Sequence, residues 1–112
     1  MYKDDITRVK HMLDSTNEAL SFINSKDRKD LDKERMLVLS LVKCIEIIGE
    51  AASKVSEEFK SKYQNIPWKD IIGMRNTLIH VYFDIDYNIV WETVKDELPI
   101  LREELQKIIK SL

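Results

Sequence analysis

The chain has 112 residues, of which 44% are apolar and 34% charged, with two glycines, two prolines and a single cysteine. This composition predicts a single domain over residues 1–112, and the lone Cys44 excludes disulfide frameworks and multi-thiolate metal sites. With 18 Lys and Arg against 20 Asp and Glu, the net charge of -2 offers nucleic acid no overall attraction, so a phosphate contact requires a local patch. The charged N-terminus lacks a leader pattern and no apolar run is long enough to cross a membrane, which predicts a cytoplasmic protein without membrane contact.

The first predicted helix covers residues 4 to about 24, where apolar side chains recur at spacings of three, four and seven. These positions are Ile6, Val9, Leu13, Leu20 and Ile23. Asp4 is a candidate N-cap for this helix. The stretch from Asn24 to Arg35 is rich in charge and poor in apolar residues, which predicts a solvated turn.

The second and longest predicted helix covers about Leu31 to Phe59. Its polar side is narrow, so it is expected to be central and mostly buried, either by its own bundle or by a second subunit. Gly49 lies inside this helix and Gly73 inside the next, and each glycine costs about 1 kcal/mol relative to Ala in a helix interior. A close crossing of the two helices at these glycines would offset the cost, with simple tolerance of both glycines as the alternative.

Pro67 stands just before a third apolar pattern that reaches Ile79, and proline is favoured in the first turn of a helix. Asp84 or Asp86 is expected to cap a fourth helix, which Pro99 should kink or divide. A strand through residues 81–87 would have no partner. The sequence therefore predicts an all-α fold, an antiparallel bundle of four or five helices.

The chain has no glycine-rich phosphate loop, paired zinc histidines, nucleophile elbow or calcium loop. Of its two histidines, His11 lies on the polar flank of the first helix and is expected to be solvated. His80 ends the third helix, where Asn76 shares its face and Arg75 lies about 140° away. These residues therefore converge only if the helix loosens near His80, if the Arg75 side chain curls around it, or if a second subunit supplies the counterpart.

Arginine and histidine without metal ligands are suited to RNA cleavage, because the 2′-hydroxyl is an internal nucleophile that needs only an acid, a base and a cation. A two-fold dimer would bring two copies of His80 and Arg75 into one cleft. The structural alternative is that His80 caps the helix C-terminus while Arg75 pairs with Glu46 or Glu50.

The order Arg75-x-x-x-x-His80-x-Tyr82 resembles the signature of the HepT-like branch of the HEPN superfamily. The surrounding segments also resemble that branch, and the likeness extends over nearly the whole chain. They are Ile47-Ile48-Gly49-Glu50-Ala51-Ala52, Ile66-Pro67-Trp68, Met74-Arg75-Asn76, Leu78-Ile79-His80 and Leu98-Pro99 with Leu101.

This resemblance implies an all-α two-fold homodimer that acts as a metal-independent endoribonuclease, without a cofactor, and as the toxin of a type VII toxin–antitoxin system. Arg75 and His80 would be catalytic, with Asn76 and Glu50 in support. The RNA substrate would include tRNA as a candidate. The partner would be a minimal nucleotidyltransferase antitoxin that transfers AMP from ATP to Tyr82, and a bulky anion there would repel RNA phosphate.

Two other functions remain open at the level of sequence. One is a noncatalytic helical subunit that binds nucleotide or presents substrate to a nucleotidyltransferase. The other is a structural dimerisation module without chemistry. The joint presence of Arg75, His80 and Tyr82 favours the ribonuclease, because neither alternative requires all three residues.

Overall fold

The computed structural model describes residues 2–80 and 84–112, with side chains described for 2–74 and 84–112. Seven α-helices and one π-helical turn follow one another in the described ranges, and none of these residues forms a strand, which confirms the all-α prediction. They are α1 (Lys3–Phe22), α2 (Asp30–Lys33), α3 (Arg35–Ser53), α4 (Glu57–Lys62), α5 (Trp68–His80), α6 (Tyr87–Glu92), the π-helical turn (Thr93–Glu97) and α7 (Leu98–Lys110). Four of the helices, α1, α3, α5 and α7, have 13 to 20 residues and make up the bundle.

Helix α3 is central, as predicted, because it packs against both α1 and α5, while α1 also packs against α7. Its inner face supplies much of the core, and full burial of a Val, Leu or Ile side chain stabilises the fold by about 1.5–3 kcal/mol. The buried apolar residues of this helix are Leu37, Val38, Leu41, Val42, Cys44, Ile45, Ile48, Ala51 and Ala52.

The prediction of one helix from Leu31 to Phe59 is wrong at both ends, since Glu34 separates α2 from α3 and residues 54–56 separate α3 from α4. Ser56 is the N-cap of α4, and its Oγ accepts a hydrogen bond from the Phe59 amide at 3.2 Å. The apolar pattern continues across the break because Val55 and Phe59 are both buried in the same core.

Asp4 does not cap α1, because this helix begins at Lys3 and its N-cap, Tyr2, makes no side-chain capping bond. The neighbouring carboxylate of Asp5 is buried and accepts hydrogen bonds from the Ser56 amide at 2.8 Å and the Ser56 hydroxyl at 2.7 Å. Asp5 therefore ties the first turn of α1 to the start of α4.

We expect Asp5→Ala to lower the free energy of unfolding by about 1–3 kcal/mol, because it removes the acceptor of two hydrogen bonds in a partly buried site. Urea denaturation measures the change. Asp4→Ala is the matched control, since Asp4 is exposed one residue earlier. Equal stability of the two variants would contradict the role of Asp5.

The stretch from Asn24 to Arg35 is more than the predicted solvated turn, because it contains α2 and buries Leu31. The close helix crossing expected at both glycines does not occur at Gly73. This residue is exposed, and a Cβ built there would meet no other described residue within 4 Å outside the backbone of its own helix. Gly49, in contrast, is buried on α3.

Asp86 caps α6, as predicted, because its Oδ1 accepts hydrogen bonds from the amides of Asn88 at 2.9 Å and Ile89 at 3.2 Å. Pro99 divides the last helix, also as predicted. Proline has no amide hydrogen, and its ring clashes with the carbonyl four residues earlier. The chain accommodates it by widening into the π-helical turn directly before α7.

Candidate active site

The helix that carries the signature is anchored at its first residue. Trp68 begins α5, its indole is buried, and its Nε1 donates a hydrogen bond to the Tyr63 carbonyl at 3.0 Å. Ile66 is buried just before it, and the Ile71 amide donates to the Pro67 carbonyl at 3.1 Å. The predicted start of this helix at Pro67 and Trp68 is therefore confirmed.

Helix α5 is continuous from Trp68 through His80, so it does not loosen before His80, and the segment directly after His80 lies outside the described residues. At 100° per residue, the backbone positions of Asn76 and His80 share a face and that of Arg75 lies about 140° from His80. The side chains of Arg75, Asn76 and His80 lie outside the described residues, as does the whole of Tyr82. Their assignment as site residues remains a prediction.

Two arginines, neither of them predicted as functional from the sequence, contact the start of α6, which follows the signature. Arg28 Nε donates a hydrogen bond to Asn88 Oδ1 at 2.7 Å, and the Arg28 guanidinium lies 5.8 Å from the centre of the Tyr87 ring. Arg35 Nη1 donates to the Tyr87 hydroxyl at 3.2 Å. The only sequence signal was arginine within a charged run, which is also typical of a solvated loop.

Glu50 lies on α3 and lines a cleft of about 350 Å³ between α1 and α3, together with Arg8, Lys43 and Lys54. Its carboxylate is 3.3 Å from Lys54 Nζ, and Glu46, which also lines the cleft, is 3.8 Å from Lys43 Nζ. Among the residues whose side chains are described, three cations thus face two carboxylates in this cleft, so their charges nearly balance. The cleft does not supply a strong phosphate patch on its own.

An apolar stripe occupies the outer face of α3, on the side that carries Glu50. Met36 is 82% exposed, and Leu39 and Ile47 are each exposed by more than a third. Residues 36, 39, 43, 47 and 50 follow helical spacing along one face. An exposed row of large apolar side chains on one helix face is typical of an interaction surface.

Two other reactive side chains do not form a nucleophilic centre. Burial raises the pKa of the Cys44 thiol to about 11, so the thiol is protonated at neutral pH. His11 is exposed on α1, as predicted. Over the described ranges, no group of three or more His, Cys, Asp or Glu side chains is arranged to hold a metal ion. No helix in those ranges has both the length and the apolar character of a membrane span.

The model of the family described as Ribonuclease HepT-like matches residues 12–108. A Methanocaldococcus jannaschii protein provisionally named as an RNase is 38% identical over 101 residues, which are 90% of this chain and 87% of that protein.

Two further relatives come from other genera. A Caldanaerobacter subterraneus protein, also provisionally named as an RNase, is 35% identical over 103 residues, covering 92% of each chain. A Thermococcus cleftensis protein named as a probable ribonuclease HepT is 32% identical over 105 residues, covering 90% of this chain and 96% of that protein. Comparison with solved structures gives no significant match.

Proposed function

Because this chain belongs to the Ribonuclease HepT-like family, we propose that it is an endoribonuclease toxin of a type VII toxin–antitoxin system. We assign the cleavage to Arg75 and His80, without a metal ion, and place it in the cytoplasm. The observation that carries the proposal is the family match over residues 12–108, which contains the complete Arg75, His80 and Tyr82 signature.

Cleavage needs few groups, because RNA carries its own nucleophile. The 2′-oxygen forms a bond to phosphorus as the bond from phosphorus to the 5′-oxygen breaks. One imidazole takes the proton of the 2′-hydroxyl and a second donates a proton to the leaving oxygen. The Arg75 guanidinium would stabilise the charge that develops on the phosphoryl oxygens. Asn76 and Glu50 would support these groups, Glu50 from helix α3, which packs against α5.

Each chain supplies one His80, so the proposed chemistry calls for a two-fold homodimer that brings two signature segments together. The outer stripe of α3 supports such a dimer, since Met36, Leu39 and Ile47 expose apolar surface on the same face as Glu50. Burying this stripe against a second copy would place the dimer interface on α3, the helix that packs against α5.

We assign Tyr82 as the target of a minimal nucleotidyltransferase antitoxin that transfers AMP from ATP. The tyrosine oxygen would attack the α-phosphorus of ATP, lose its proton and displace pyrophosphate. Tyr82 is two residues from His80, so the added phosphate and adenosine would occupy the substrate cleft and repel RNA phosphate.

Purified, unmodified protein incubated with a tRNA pool in EDTA tests the proposal. Cleavage of the pool by a protein that has the mass of a dimer in light scattering would support it. Absence of cleavage by protein whose intact mass shows no AMP would reject the ribonuclease in favour of a noncatalytic subunit of a nucleotidyltransferase complex.

We expect Arg75→Lys to lower the cleavage rate by about 10- to 150-fold. Lysine keeps the charge but not the guanidinium fork, and loss of a charge-assisted hydrogen bond is worth about 1.5–3 kcal/mol. Initial rates on one tRNA measure the effect. Arg102→Lys on α7 is the matched control and should retain the wild-type rate, whereas wild-type cleavage by Arg75→Lys would contradict the assignment.

A further inference from the structure

A groove of about 260 Å³ opens between α3, α5, the π-helical turn and α7. Its floor is apolar and consists of buried side chains from two of these elements, α3 and α7. They are Ile45, Ile48, Leu98 and Leu101. Its lip includes Ile71 and Met74 of α5, both half-buried, and Ile100 of α7, which is 65% exposed. Nothing in the described chain covers this isoleucine, and a small molecule inside the groove would leave the lip in water.

The rim of the groove is acidic, since Asp70, Glu97 and Glu104 all line it. Glu104 has Lys107 Nζ at 3.3 Å. For Asp70 and Glu97, no Lys or Arg among residues 2–74 and 84–112 comes within ion-pair distance. Uncompensated carboxylates repel the phosphate backbone of nucleic acid and attract a cationic partner. The charge of the rim therefore selects a basic polypeptide over RNA.

Gly73 adds a third observation on the same helix. It follows Asp70 by three positions, so the two residues are neighbours on the surface of α5. A glycine in a helix interior costs about 1 kcal/mol relative to Ala, yet a Cβ at this position would meet no other described residue within 4 Å outside the backbone of α5. Packing within the described chain does not require a glycine here, whereas the low surface beside Asp70 lets another backbone approach α5 closely.

We propose that this groove docks a cationic amphipathic helix of another protein. Its apolar side chains would cover Ile71, Met74 and Ile100, and its Lys or Arg residues would pair with Asp70 and Glu97, in the manner of a helix in an apolar groove. The surface is distinct from the outer stripe of α3, whose residues do not line the groove. Met74 immediately precedes Arg75, so a partner seated here contacts the helix that carries the signature. The docking proposal does not depend on the ribonuclease activity.

Fluorescence anisotropy with two labelled peptides tests the proposal. One is a synthetic 14-residue helix of Leu and Lys with Leu at positions i, i+3, i+4 and i+7, and the other replaces each Lys by Glu. The full chain should bind the Leu and Lys peptide at least about tenfold more tightly than the Leu and Glu peptide, a difference of about 1.4 kcal/mol. Equal binding of the two peptides would overturn the proposal.

Variants locate the binding on the chain. Asp70→Lys combined with Glu97→Lys should weaken binding of the Leu and Lys peptide at least about tenfold, because attraction becomes repulsion. Asp4→Lys combined with Asp14→Lys changes the net charge equally on α1, which does not line the groove, and should retain wild-type affinity. An equal loss of affinity in both double variants would show that the peptide binds only through nonspecific charge attraction, and it would overturn the proposal.

Gly73→Gln tests the close approach to α5 independently of charge. A Cβ at this position would meet no other described residue within 4 Å outside the backbone of its own helix, so the variant should melt no lower than the wild type but bind the Leu and Lys peptide less tightly. Unchanged affinity in a folded Gly73→Gln variant would contradict docking beside Gly73. Binding of a labelled single-stranded RNA in the absence of peptide, if weakened by Gly73→Gln, would assign the groove to nucleic acid and likewise reject a protein partner.

Discussion

His80→Ala should lower the rate of tRNA cleavage in EDTA by about 100- to 10,000-fold, the usual contribution of a positioned acid–base group. In the proposed reaction an imidazole takes the proton of the 2′-hydroxyl, and a methyl group cannot replace it. Cleavage of one purified tRNA, followed over time at equal protein concentration, measures the loss. Chelation by EDTA removes the contribution of metal-dependent nucleases that contaminate such preparations.

The chain offers a matched control for this experiment, because its other histidine, His11, is exposed on α1. His11→Ala should cleave tRNA at the wild-type rate. The far-ultraviolet circular dichroism and melting temperature of His80→Ala should match those of the wild type. Full activity of a folded His80→Ala variant would reject His80 as the acid–base group, and global unfolding would favour a structural histidine instead.

Tyr82→Phe should remain an active ribonuclease and become insensitive to the antitoxin. Phenylalanine keeps the ring but has no oxygen to attack the α-phosphorus of ATP, so the loss of modification should be complete. Intact mass spectrometry after incubation with the nucleotidyltransferase and ATP measures it, and the wild type should gain the mass of one or more AMP units. In cells that also express the nucleotidyltransferase, Tyr82→Phe should inhibit growth and the wild-type chain should not.

Tyr63→Phe is the control for this second experiment, because Tyr63 packs against Phe59, with ring centres 4.7 Å apart, at the end of α4. It should be modified and neutralised like the wild type. A gain of AMP by Tyr82→Phe would move the modification to another residue. Loss of tRNA cleavage in Tyr82→Phe would assign this tyrosine to the reaction itself.

The sequence located well those helix boundaries that a residue at the boundary itself marks, by starting, capping or breaking the helix. Pro67 and Trp68 marked the start of α5, Asp86 marked the cap of α6, and Pro99 marked the division of the last helix. Each of these signals acts through the backbone of its own segment, by a missing amide hydrogen or a short carboxylate side chain. Such effects do not depend on the rest of the fold.

The errors concern interactions between distant segments. Periodicity joined α3 to α4 because Val55 and Phe59 enter the same core, and it cannot register a break that leaves both residues buried. Asp4 and Asp5 are equally good caps by residue type. Only the position of Ser56, 51 residues along the chain from Asp5, decides which of them is buried. The anchoring of α6 by Arg28 and Arg35 was missed for the same reason.

The residues proposed to carry the reaction were identified by their order in the sequence, which resembles the signature of the HepT-like branch and lies within the matched residues 12–108. Charge and periodicity alone left Arg75 and His80 about 140° apart on one helix, which is an unusual starting point for a joint site. The proposed second subunit would resolve that difficulty. A sequence pattern does not indicate how two subunits are arranged, because the symmetry that relates two chains produces no residue spacing within either one.

The buried Cys44 is a natural probe of local opening in the core. Thiol reagents attack the thiolate, so a side chain that is 5% exposed with a pKa of about 11 reacts only when the packing around α3 opens. The labelling rate of the wild-type chain therefore reports how often its interior opens, with no engineered probe. Comparing the labelling rate with and without an added RNA or peptide would show whether binding at the surface makes opening of the core less frequent.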